Sequence, residues 1–157
     1  MNERIVEEWI KSGNENFNGG RVLFKNSKEE FKTLVCYNMQ QAVEKYLKAY
    51  LITNGIEIDD KHRDHFTHDI AKIIEACKEI DPDFDKLYKI EADRLTDYAV
   101  KLKYPSSKAL TLENEKEAIS ITEQVRLFVL DKIKDISVDK THEKQPDKNV
   151  PYPDIDF

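Results

Sequence analysis

The sequence predicts an all-α protein, an up-and-down bundle of about five helices, and three observations carry that prediction. Laid out at 100° per residue, Phe31, Val35, Met39, Ala42, Val43, Tyr46, Leu47, Ala49 and Tyr50 fill an apolar arc of roughly 160°, too wide to face a single neighbour. A helix of that kind packs between at least two others. Four further segments repeat the three-and-four spacing of buried helix faces. No run alternates apolar and polar residues as a half-buried strand would.

A chain of 157 residues suits one domain and hides roughly 68–70% of the surface its unfolded form exposes, so it needs no covalent staples. The net charge of −6 comes from 36% charged residues of both signs, a mixed surface with no block of one sign. Gathering any nucleic acid rests on Lys and Arg neutralising phosphates, so an RNA or nucleotide site must be local. Cys36 and Cys77 fall on apolar stripes, where a free cysteine packs as a small hydrophobe. That reading implies a reducing compartment. No apolar run approaches the ~20 residues of a membrane span, and Met1-Asn2-Glu3-Arg4 lacks the start of a signal peptide. A cytoplasmic chain with no membrane partner is expected.

The first helix is predicted from Asn2 to Phe24, with Ile5, Trp9, Ile10, Phe17 and Phe24 on its inner side. Gly13 and Gly20 cost about 1 kcal/mol each against Ala inside a helix. They mark either the close approach of a neighbour or, at Gly19-Gly20, a frayed end. Ser27 and Glu30 have the spacing of a capping box for the second helix, and Asn54-Gly55 is the signature of its end. On that helix Asn38, Gln41, Glu44, Lys45 and Lys48 form the face opposite the apolar arc, expected toward solvent or a partner. Glu44 precedes Lys48 in the favourable i,i+4 order.

A polar link from Ile56 to Thr67 follows. Thr67 is the expected N-cap of a short third helix strapped across the bundle, with Asp69 in its first turn and Ile70, Ile73, Ile74, Cys77 and Ile80 as its stripe. Asp81-Pro82 stops that helix and starts a fourth, since Asp81 caps and Pro82 suits the first helical position. Phe84, Leu87, Tyr88, Ala92, Leu95, Tyr98, Ala99 and Leu102 line its inner face up to the break at Tyr104-Pro105. The fifth helix is predicted from Leu112 to Asp135 on a stripe of Ala118, Ile121, Val125, Phe128 and Val129. The second and fifth helices should be the most buried. Residues 1–136 thus form the bundle, and residues 137–157, rich in proline and charge, an extended tail. Its Val150, Tyr152, Ile155 and Phe157 would dock on the bundle or on a neighbouring chain.

Three blocks in order resemble the HEPN family, small helical proteins linked to nucleotides and RNA. They are Gln40-Gln41-Ala42-Val43-Glu44-Lys45, Thr67-His68-Asp69-Ile70, and Asp97-Tyr98-Ala99-Val100 followed by Lys103-Tyr104-Pro105. The resemblance implies a helical bundle, often a homodimer, frequently encoded beside a nucleotidyltransferase. In catalytic members it further implies metal-independent RNA cleavage by an Arg and a His four to six residues on, the His moving a proton and the Arg stabilising phosphate charge. The matching segment here, Arg94 to Pro105, holds no His. Lys103 stands where the family commonly has Arg, which keeps the charge and loses the planar fork.

The candidate residues follow from these patterns. Arg63 and His68 are the literal Arg-x4-His pair and the candidate catalytic residues, placed at a loop and a helix start. Arg94, Asp97, Tyr98, Lys101, Lys103 and Tyr104 gather tyrosines and cations able to stack a base and hold a phosphate. The alternative for them is a core Tyr98, an Asp97–Lys101 pair and a solvated Lys103. Gln41, Glu44, Lys45 and Lys48 would complete a site if the second and fourth helices adjoin. His62, His65 and His68 recur every third residue among Asp59, Asp60, Asp64 and Asp69, a spacing that suits either a solvated loop or a metal cluster. No metal and no cofactor is expected. The leading function is a nucleotide- or RNA-associated binding and interaction module with little nuclease activity, paired with a nucleotidyltransferase in a toxin–antitoxin-like system. A metal-independent ribonuclease and a purely structural dimeric interaction protein are the alternatives.

Overall fold

The computed structural model describes residues 3–27, 30–58, 67–98 and 109–140, and for 137–140 the backbone alone. Among these residues every regular element is helical. Helix α1 spans Glu3–Asn26, α2 Lys32–Thr53, α3 Ile70–Ile80, α4 Lys86–Lys89 and α5 Leu112–Lys140, with 3₁₀ turns at Pro82–Asp85 and Ala92–Leu95. The expected all-α bundle is what forms.

Helix α2 is its centre, packed between α1 and α5 and touched by α3. Fourteen of its 22 residues are buried, which is what the wide apolar arc requires. A Cβ on Gly13 would meet Tyr46 and one on Gly20 would meet Met39, so α1 and α2 run antiparallel. The glycines therefore mark close approach, and the helix does not fray at Gly19-Gly20. Thr122 reaches the Met39 carbonyl, while Phe128 stacks edge-on against Phe84, itself tilted on Tyr50. Helix α5 accordingly runs in the same sense as α2. Both cysteines are free and buried, and burial pushes the Cys77 thiol up.

Several boundaries differ from the sequence-based expectation. The first helix continues to Asn26, with Val6 buried and Ile5 exposed. Ser27 donates its N–H to the Leu23 carbonyl at the end of α1, and the N-cap of α2 is Phe31, with no side-chain cap bond. At the other end Asn54-Gly55 behaves as read. Ile56 N–H donates to Leu51 O and Gly55 N–H to Ile52 O, with Gly55 at φ +84°, the double bond pattern of a left-handed C-cap. The cap of α3 is Asp69, whose side chain accepts from Ala71 N–H, while Thr67 Oγ1 accepts from Asp69 N–H. Of the α3 stripe, Ile80 is exposed.

The expected long fourth helix is broken. Asp81 caps and Pro82 opens as predicted, but the chain turns at Ile90 and Glu91, with Glu91 left-handed at φ +63°. A left-handed residue with a Cβ costs roughly 1–2 kcal/mol. Phe84, Leu87, Ala92 and Leu95 are all buried across the break. Helical geometry resumes at Thr96 through Tyr98. At the far end α5 runs on to Lys140, past the predicted Asp135. The apolar tail residues Val150, Tyr152, Ile155 and Phe157 lie outside the described residues. No helix among the described residues is long and apolar enough to cross a membrane.

Candidate functional site

The site grows from a slanted row of α2. Positions 36, 40, 44 and 48 are successive i,i+4 neighbours, one ridge of the helix. They carry Cys36, Gln40, Glu44 and Lys48, and all four are buried. This corrects the expected solvent face, on which Glu44 and Lys48 were placed. Buried charge is tolerated when it is paired and hydrogen-bonded, and the row supplies both. Lys48 Nζ donates to Glu44 Oε1 at 2.7 Å and Gln40 Nε2 donates to Glu44 Oε2 at 3.0 Å.

The row is roofed from outside α2. The Lys48 ammonium stands 5.8 Å from the centre of the Trp9 ring, within cation–π range. Just before α3, His68 brings Nδ1 to 2.8 Å from Glu44 Oε1, and its carbonyl accepts from Gln40 Nε2 at 3.3 Å. Its own side chain is 71% exposed while that of Glu44 is 5% exposed. A surface imidazole is therefore anchored on a buried carboxylate. The turn carrying it is tied to the next element, because Ile70 N–H donates to Thr96 Oγ1 at 3.0 Å.

Thr96 lies between Arg94 and Tyr98. Arg94 is exposed and donates to Glu91 at 3.0 Å, also attracted by Glu117. Tyr98 is half-buried, packed against the core. Burial above all pushes its phenol up to about 12, which ill suits it as a base at neutral pH. Asp97 is exposed. Lys101, Lys103 and Tyr104 lie outside the described residues, as do Arg63, His62, His65, Asp59, Asp60 and Asp64. Among the described residues no group of His, Cys, Asp or Glu is arranged to hold a metal ion.

Gln41 adjoins the buried row, whereas Lys45 sits apart from it, on the α1 side. Gln41 Nε2 donates to Gln40 Oε1 at 2.7 Å. Lys45 Nζ donates to Asn16 Oδ1 at 2.7 Å, and Asn16 in turn donates to Asn38 Oδ1 at 2.9 Å. Burial lowers the pKa of the Lys45 ammonium, with Glu44 and Glu15 opposing. The structure thus joins Glu44 and Lys48 to His68 and, through Thr96, to the Arg94–Tyr98 turn, and it places Lys45 on a separate seam. Sequence reasoning missed Gln40, Trp9 and Thr96. The i,i+4 run Gln40–Glu44–Lys48 was the one available signal, and only a covering element could turn it into a buried row.

Fold and site together define a small helical-bundle protein with a histidine-capped ionic row, tied by one hydrogen bond to the turn that carries an exposed arginine. A family model of the HEPN domain matches residues 6–133, and the chain belongs to the HEPN family. Among solved structures, the crystal structure of ST0689, an archaeal HEPN homologue, aligns with a TM-score of 0.57 at 22% identity. The alignment covers 82% of this chain and 98% of that one, a likeness of fold. None of the curated proteins matches the chain.

Proposed function

We propose that this HEPN protein is a nucleotide- or RNA-associated binding and interaction module, a cytoplasmic homodimer that works beside a nucleotidyltransferase in a toxin–antitoxin-like pair and has little nuclease activity of its own. One observation supports this above others. The Thr96–Ile70 bond joins the turn bearing the exposed Arg94 and half-buried Tyr98 to the turn bearing His68. The guanidinium, suited to phosphate, and the imidazole are thereby carried on two turns joined by one hydrogen bond. Titrating the protein with single-stranded RNA and with nucleoside triphosphates, monitored by fluorescence anisotropy, tests the reading. Binding lost in Arg94→Ala supports it, and an affinity unchanged in Arg94→Ala and Lys103→Ala moves the site elsewhere.

A second reading, a metal-independent ribonuclease using Arg63 and His68, draws on the anchoring of His68 by Glu44 at 2.8 Å. A fixed imidazole suits proton transfer. Cleavage of RNA in chelator that His68→Ala and Arg63→Ala abolish, with helical content unchanged, would favour this reading over the first.

A further inference from the structure

We propose that Glu91 sets how tightly Arg94 takes a phosphate, because its carboxylate holds the guanidinium in the free protein and has to be displaced by the phosphate of a nucleotide or an RNA strand. The inference rests on the phosphate-binding role given to Arg94 above and adds the control of its affinity. Two observations at one turn carry it. Arg94 Nη1 donates to Glu91 Oε2 at 3.0 Å, and Arg94 N–H donates to Glu91 O at 3.1 Å, so side chain and backbone join the same two residues. Glu91 is also the one non-glycine residue at positive φ among the described residues, at +63°.

Stability gives no reason for a glutamate there. The left-handed region suits glycine and burdens any residue with a Cβ, while an exposed i,i+3 ion pair such as this one stabilises a fold little. A residue held in that region with no gain in stability points to function, and its contact indicates which. Carboxylate and phosphate oxygens accept from the same guanidinium N–H groups, so Glu91 and a ligand phosphate compete for Arg94. Glu117 of α5 also attracts the guanidinium. An arriving phosphate therefore meets a second negative charge, and Glu91 is the one of the two that it must displace.

The test titrates a fluorescein-labelled single-stranded oligoribonucleotide and, in a parallel arm, a fluorescent ATP analogue into the wild type, Glu91→Gln, Arg94→Ala and the double variant. Glu91→Gln should tighten binding of the strand or of the nucleotide about two- to fivefold, the strength of an exposed ion pair read as an affinity ratio. The same change should do nothing in the Arg94→Ala background. Glu123→Gln, which alters the net charge equally at an exposed position of α5, should leave the affinity as it was. Glu91→Gly removes both the carboxylate and the backbone strain, so it should tighten binding as Glu91→Gln does and melt no lower than the wild type. An equal gain in Glu123→Gln or in the Arg94→Ala background, or a lower melting midpoint for Glu91→Gly, overturns the inference. Arg94-dependent binding that Glu91→Gln leaves unchanged overturns it alone, whereas binding of neither probe, or binding indifferent to Arg94, overturns the phosphate-binding reading as well.

Discussion

The Lys48 ammonium and the Glu44 carboxylate meet at 2.7 Å with side chains only 3% and 5% exposed. Removing one member of such a pair leaves a buried charge uncompensated. Lys48→Met should therefore destabilise the fold by about 3–5 kcal/mol. Replacing both, Glu44→Gln with Lys48→Met, should cost less than the single change. Urea midpoints on the three proteins check the order, and a Lys48→Met cost under about 1 kcal/mol would mean that solvent screens the pair.

Two glycines of α1 should respond in opposite directions to alanine. A Cβ on Gly13 would lie 2.9 Å from Tyr46 Cε1, and that ring is held in place by a 2.6 Å bond from its hydroxyl to Asn14. Overpacking of about 1–3 kcal/mol outweighs the gain in helix propensity of about 1 kcal/mol. Gly13→Ala should destabilise. Gly19 has nothing within 4 Å of its added Cβ, so Gly19→Ala should stabilise by about 0.5–1 kcal/mol. Thermal denaturation of the pair reads both signs at once.

Lys132 of α5 clamps the start of the fourth segment, with Nζ 2.7 Å from Asp81 and 2.8 Å from Asp83. The Lys132 hydrogen bond, first among its causes, depresses the Asp83 pKa. Its stabilising share is thus present above the unfolded value near 4 and is lost as pH falls through the lower folded one. Hydrogen bonds to Asp81 and Asp83 raise the Lys132 pKa. Its share is complete below the unfolded value near 10.4 and is lost as pH rises through the raised one. Lys132→Met should flatten the urea midpoint below pH 4 and above pH 10.5, and a profile matching the wild type on both flanks would dismiss the clamp.

Arg94→Ala should weaken RNA or nucleotide binding by roughly 1–3 kcal/mol, as expected for a charge-assisted contact. Its side chain is exposed, so the fold should be unaffected. Anisotropy alongside circular dichroism separates the two effects.

The proposed homodimer carries its own test. Light scattering at micromolar concentration should give twice the chain mass of 18.4 kDa, and a monomer mass would reject a stable dimer under those conditions.

The α2 core was legible in the sequence because an apolar arc that wide has one solution, burial between neighbours, and Val35, Met39, Ala42, Val43 and Leu47 are indeed at 0% exposure. Local chemistry likewise determined the Asn54-Gly55 cap and the Asp81-Pro82 junction, where backbone groups are satisfied within a few residues. The break at Glu91 was not legible, since glutamate has no preference for the left-handed conformation it adopts there. Nor was the burial of the site. On its own, α2 shows Glu44 and Lys48 to water. They become a buried ionic row only when His68 and Trp9, 24 residues downstream and 35 residues upstream of Glu44 in the chain, close over it. A charge's environment is set by what folds onto it, and that is a tertiary fact.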